Sequence, residues 1–136
     1  MGLVAIRAGL KTAFETVSGI GPVLMYPPKM IPANFTLYVA RNGFEVVKVG
    51  QINGVRWFFT ARLAILWQDA EQGEKDLDSL SKAIIDAIND DAHLGTALSS
   101  GKAEITVGDD GWFQTENSGS WYRFCDFDIA VLDKST

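Results

Sequence analysis

The stretch from Val55 to Asp91, VRWFFTARLAILWQDAEQGEKDLDSLSKAIIDAINDD, constrains the fold more than any other part of the chain. Successive side chains of a strand point to opposite faces. In its first half Trp57, Phe59, Ala61, Leu63 and Ile65 therefore share one face, and Phe58, Thr60, Arg62, Ala64 and Leu66 share the other. One face is wholly apolar and the other mixed, which predicts a central strand with one covered and one partly wet side. The second half opens on Asp69 with Gln72 three positions on, a capping-box spacing that satisfies backbone donors otherwise left without partners. Leu77, Leu80, Ile84, Ile85 and Ile88 then recur at helical spacing, with Glu74, Lys75, Asp78, Lys82 and Asp86 between them. A helix packed on a sheet follows from this pattern, and a function does not.

The flanks extend the pattern. Leu3, Ile6, Leu10, Ala13, Phe14 and Val17 follow helical spacing, which predicts a helix over 3–17 that stops near Ser18-Gly19. All four prolines fall between Pro22 and Pro32, so 21–33 reads as an ordered crossover, with Val23 to Tyr26 as a short edge strand. Phe35 to Ala40 is rich in strand formers, and Arg41-Asn42-Gly43 carries the strongest short hairpin signal. The expectation is an antiparallel meander of strands 35–40, 44–49 and 55–67; the alternative is that 41–54 forms a projecting arm. After a helix over 70–90, strands are expected at 103–107 and 121–132. The latter turns Cys125, Phe127, Ile129 and Val131 inward and Asp126 and Asp128 to water. Gly108 to Ser120 is rich in turn formers and reads as a loop. Trp112 and Phe113 at its centre are either a plug folded back on the core or contacts for a partner chain. Residues 1–136 are read as one domain of the α+β class, a mainly antiparallel sheet with the N-terminal and central helices packed on it.

Composition narrows the function. An apolar fraction of 47% and a charged fraction of 21% describe a globular chain. A formal net charge of −5 argues against a surface that grips nucleic acid, which would carry a basic patch. Mild acidity serves solubility, and it also suits a protein that DNA passes without being held. No run of about 18 apolar residues is present, so no membrane-spanning helix is expected. The N-terminus has Arg7 and Lys11 among its apolar residues and no small-residue cleavage pattern, against a secretory signal. Its Met-Gly start lacks the Ser or Thr at position 6 that a myristoylation site needs. Cys125 is the only cysteine and reads as a buried structural thiol.

The motifs of the common active sites are not present in the sequence. His93 is the only histidine, next to a helix end, where it serves as a dipole partner; no nucleophile elbow accompanies it. The paired aspartates Asp90-Asp91 and Asp109-Asp110 lack the spacing of a calcium loop, and no zinc-ligand spacing occurs. Gly19-Ile20-Gly21 runs into Pro22 instead of a helix, which rules out a phosphate cradle. No catalytic, cofactor-binding or metal-binding residues are assigned, and no cofactor is expected.

The order of helix, proline-rich crossover, meander, central helix and late strands resembles the tail terminator (minor tail) proteins of long-tailed bacteriophages. The residues carrying the likeness are Ala5 to Leu10 in the first helix, Pro27 and Pro32 before the first long strand, and Leu77 to Ile88, closed by Asp90-Asp91-Ala92-His93-Leu94-Gly95. The likeness spans almost the whole chain, and each of its motifs is apolar patterning plus caps, with no catalytic signature. It implies a structural virion protein located at the tail and neck and assembled in the bacterial cytoplasm. It implies a ring of identical subunits, typically a hexamer, that caps the tail tube and stops its polymerisation. Implied partners are further copies of the chain, the major tail tube protein and the head–tail connector, with DNA passing through the lumen without sequence-specific binding. In that family loops between strands engage the tube and neighbours. The matching regions here are Arg41 to Gly54 and Gly108 to Ser120, with Arg41, Asn42, Phe44, Lys48, Gln51, Asn53, Trp112, Phe113 and Gln114 as candidate interface residues. Other neck components, such as a head-completion or connector-stopper protein, are the alternative. A small non-viral binding module or enzyme is a third.

Overall fold

The computed structural model describes residues 2–50, 52–98, 100–116 and 119–135. Helix α1 (Leu3–Glu15) leads into the two-residue strand β1 (Val23–Leu24). Two long strands, β2 (Thr36–Val49) and β3 (Ile52–Leu66), precede helix α2 (Ala70–Asp90). Strands β4 (Gly101–Gln114) and β5 (Trp121–Ser135) complete a sheet of order β1-β2-β3-β5-β4. Only the β1–β2 pairing is parallel. The fold is α+β, as the periodicities predict.

Strand β3 is the centre of this sheet, flanked by β2 and β5. Its apolar face is covered: Phe59, Ala61, Leu63 and Ile65 are buried with Leu37, Val39, Phe127, Ile129 and Val131 beside them. Both helices lie on that side. Ile6, Leu10 and Phe14 of α1 and Leu77, Leu80, Ile84 and Ile88 of α2 belong to the same buried cluster. Helix α2 starts where the capping spacing predicts, with the Gln72 N–H donating to Asp69 Oδ1 at 3.0 Å. The reciprocal half of the box does not form, because the Gln72 side chain turns down the helix to Asp76 at 2.9 Å. At the other end Leu94 and Gly95 take left-handed conformations, with φ of 52° and 68°. This turn seats the buried Leu94 against Gly9 of α1, where a Cβ on Gly9 would stand 2.7 Å from the Leu94 Cβ. The Asp90–Gly95 ending thus ties the two helices together.

Two sequence expectations are corrected. Arg41-Asn42-Gly43 is not a hairpin turn: 36–40 and 44–49 belong to the single strand β2, which Phe35 precedes at φ 57°, and Asn42 is the extra residue of a bulge between Arg41 and Gly43. A bulge that needs a permissive backbone uses Gly43, at φ 127°, as a turn would. The connection to β3 lies beyond Val49, which pairs with Ile52, and starts at Gly50 with φ 63°. Gly108 to Ser120 is likewise not a loop throughout, since β4 runs on to Gln114. Gly111 lies opposite Phe124, whose ring carbon would be 2.5 Å from a Cβ there, so the aromatic ring covers the glycine. The turn-forming composition of GDDG marks an exposed edge strand.

Candidate assembly surface

Beyond the bulge, β2 and β3 continue as an arm past the helices. Phe44 and Val46 lie on the helix side of this arm but are 60% and 61% exposed, because neither helix reaches them. Phe44 packs sideways on Trp57 at 5.6 Å between ring centroids, and the Arg41 guanidinium lies 5.4 Å from the same indole. Glu45 and Arg56, cross-strand partners on the opposite side, form an ion pair. Asn42 is exposed and its amide donates to Thr60 Oγ1 at 3.4 Å. Lys48 and Asn53 are exposed farther out. Gln51 lies outside the described residues.

The second candidate region is at the opposite end and opposite edge of the sheet. Trp112 packs edge-on against Trp67 at 4.2 Å and under the Arg123 guanidinium at 5.0 Å, yet stays 46% exposed. Arg123 is fixed by Glu74 at 3.1 Å and by the Gly111 carbonyl at 3.1 Å, so the Trp112 platform is held from α2. Phe113 turns to the other face, where it stacks on Tyr122 at 5.1 Å with ring planes 9° apart. Gln114 is exposed and bridges the hairpin end by donating to Gly119 O at 2.8 Å. Trp112 and Phe113 therefore lie on opposite faces of the hairpin end and do not form one plug folded into the core. The structure does not bring 41–54 and 108–120 together within one chain; they occupy diagonal corners of the sheet.

The face away from the helices carries a polar centre. Arg62 makes a two-pronged bond to Asp126 at 2.7 and 2.9 Å and lies 3.9 Å from the Phe124 ring centroid. Its guanidinium is held above its usual pKa, chiefly by the Asp126 hydrogen bond and against the cost of burial. A groove of about 310 Å³ beside it is lined by the crossover residues Lys29, Met30 and Ile31 and by Tyr38, Phe113 and Tyr122.

Among the described residues no three metal-ligating side chains converge. His93 is exposed, with Nδ1 3.0 Å from the Gly101 carbonyl oxygen, a distance at which that nitrogen carries the proton and donates. Cys125 is buried, and desolvation, with Asp110 nearby, pushes its thiol up to about 12. A thiol is the unreactive form, so Cys125 is expected to resist thiol reagents at pH 8 and to react fully once the chain is unfolded. A time course with an aromatic disulfide reagent checks this; rapid labelling of the folded chain would contradict the burial. The exposure of Val46 and the turn of Asp110 to the helix face are not legible in the sequence. Each depended on counting alternation through a bulge.

No protein-family model matches the chain, and no curated protein matches it. The fold does have a solved counterpart: the chain is similar to one in the virion of a native gene transfer agent (GTA) particle. The TM-score is 0.52, covering 97% of this chain and 96% of that one, with 13% identical residues. At that identity the likeness is one of fold. It runs from end to end in both chains.

Proposed function

We propose that this chain is a structural protein of a phage-like virion and acts as a tail terminator. In this reading identical copies form a ring that ends the tail tube, stops its polymerisation and joins the tail to the head connector. The observation that carries it is the end-to-end likeness of fold to a chain of a gene transfer agent virion. The element order and the Asp90–Gly95 ending, which carry the resemblance to tail terminators, also support it. The chain works by contact with neighbouring copies, the tube and the connector, while DNA passes through the ring. The exposed apolar arm around Phe44 and the Trp112 corner suit such contacts, since aromatic side chains dominate interface energetics.

Particles made without this protein test the role. A terminator predicts tails of uncontrolled length that are unattached to filled heads. Filled heads that leak DNA would point to a head-completion protein instead. The arm can be tested directly: Phe44→Glu with Val46→Glu is expected to leave the subunit folded, because both residues are exposed, and to abolish ring formation. Size-exclusion chromatography with light scattering reads both properties at once. Rings of unchanged size from the double variant would remove the arm from the interface.

A further inference from the structure

The sheet has two open edges among the described residues. Strand β1 covers β2 only at Leu37 and Tyr38, so the outer edge of β2 is uncovered from Val39 onward. Strand β4 pairs with β5 alone, and its outer edge is touched at Ala103, whose N–H donates to Ala92 O at 2.7 Å. From Glu104 to Gln114 no strand covers it. Long open edges are templates for another strand. The pairing pattern makes β2 and β4 run in opposite directions. A second copy placed beside the first in the same orientation therefore brings its β2 antiparallel to this β4, and the alternation continues unbroken.

We infer that β4 of one copy pairs with the β2 arm of the next, joining subunits edge to edge into one continuous sheet; this rests on the ring reading above. The register follows from the side chains. Tracing the in-sheet pairs across one copy puts Arg41 level with Ile105, Phe44 with Ala103 and Glu45 with Lys102. At zero stagger the two uncovered stretches barely overlap. Only even shifts keep the helix side of both strands on one face. A shift of two residues sets Glu104 against Glu45, and a shift of six sets Asp109 against Glu45; like charges directly opposite are unfavourable. A shift of four avoids both. It places Arg41 opposite Asp110, Phe44 opposite Gly108 and Val46 opposite Ile105, with 39–47 running along 104–112.

A separate observation agrees with that register. A groove of about 340 Å³ runs between α2 and the β4 edge on the helix side, and Ile105, Gly108 and Asp110 are among its lining residues, facing Leu77, Asp78 and Ile85 of α2. The three arm residues that a shift of four brings to this groove are Val46, Phe44 and Arg41. Val46 meets the apolar Ile105 and Ile85, and Phe44 covers a glycine, as Phe124 covers Gly111 within the chain. Arg41 comes opposite Asp110, and Asp78 of α2 lines the same groove. A constant stagger at each junction also tilts the strands, which is how a sheet closes on itself instead of extending flat.

Cysteine pairs decide the register in the assembled protein. Phe44→Cys with Gly108→Cys is expected to give, on mild oxidation, a ladder of covalent oligomers ending at the size of the ring. Phe44→Cys with Ile105→Cys reports a shift of two, and Phe44→Cys with Asp110→Cys a shift of six; neither should ladder, nor should any single variant. Hydrogen exchange is expected to slow in 39–47 and 104–112 when rings of the unaltered protein form. Rings that do not ladder through 44 and 108, or whose edge amides exchange as in the free subunit, overturn the edge pairing and leave the ring reading standing. A chain that forms no ring overturns both.

Discussion

Phe59→Ala is expected to destabilise the chain by about 3–5 kcal/mol, out of a total of about 5–15 kcal/mol for a domain of this size. Phe59 is 1% exposed at the middle of the central strand, between Arg41 of β2 and Ile129 of β5. The Arg7 guanidinium of α1 lies 5.7 Å from its ring centroid, so the ring fills the space where the first helix meets the sheet. Alanine leaves a cavity that the close-packed interior closes only in part. The midpoint of thermal unfolding should fall by roughly 10–20 °C. Phe58 is the internal control. It is the next residue on the same strand, but it faces away from the helices and is only half-buried. Phe58→Ala should cost clearly less, and equal losses from the two variants would mean that the strand does not divide into a covered and an open face.

That division was legible in the sequence because period-two alternation survives wherever a strand is regular. The same holds for α2, whose apolar spacing and Asp69 cap placed it to within a residue. What was not legible has a common physical origin. Asn42 and Thr106 each insert one residue into an edge strand, with register shifts at Arg41/Gly43 and Ile105/Val107. After each insertion the alternation changes phase, so a correct strand reads as a broken one. Asn-Gly then looks like a turn and Gly-Asp-Asp-Gly like a loop, although glycine serves a bulge, a turn or a ring-covered edge position equally well.

The candidate site suffered most from this, since both bulges lie in the strands that carry it. Phe44 and Trp112 were identifiable as aromatics among polar residues. That Val46 lies on the same side of the arm as Phe44, and that Asp110 turns to the side of α2, required the pairing of neighbouring strands. An ionic or apolar match between β2 and β4 is invisible to any local pattern, because the two strands are separated by the whole of α2 and belong to opposite edges.

Gly101 carries the second large effect, and it arises where β4 begins. Its φ is +118°, and a Cβ there would stand 1.9 Å from the Leu132 carbonyl oxygen of β5. Neither atom can give way cheaply, because Leu132 is held in the sheet between Arg56 on one side and Lys102 on the other. Gly101→Ala therefore combines backbone strain with a clash between main-chain atoms, and a loss of about 2–4 kcal/mol is expected. Gly43→Ala separates the two causes: φ is +127° there, but nothing lies within 4 Å of the added carbon. Its loss should be limited to the strain, about 1–3 kcal/mol. Urea titration of both variants reads the difference. Since Ala103 also anchors to Ala92 two residues on, the Gly101 variant should free the start of β4 first, seen as faster amide exchange at 101–105 than at 121–132. If Gly101→Ala were tolerated as well as Gly43→Ala, the close approach of β4 to Leu132 would be refuted.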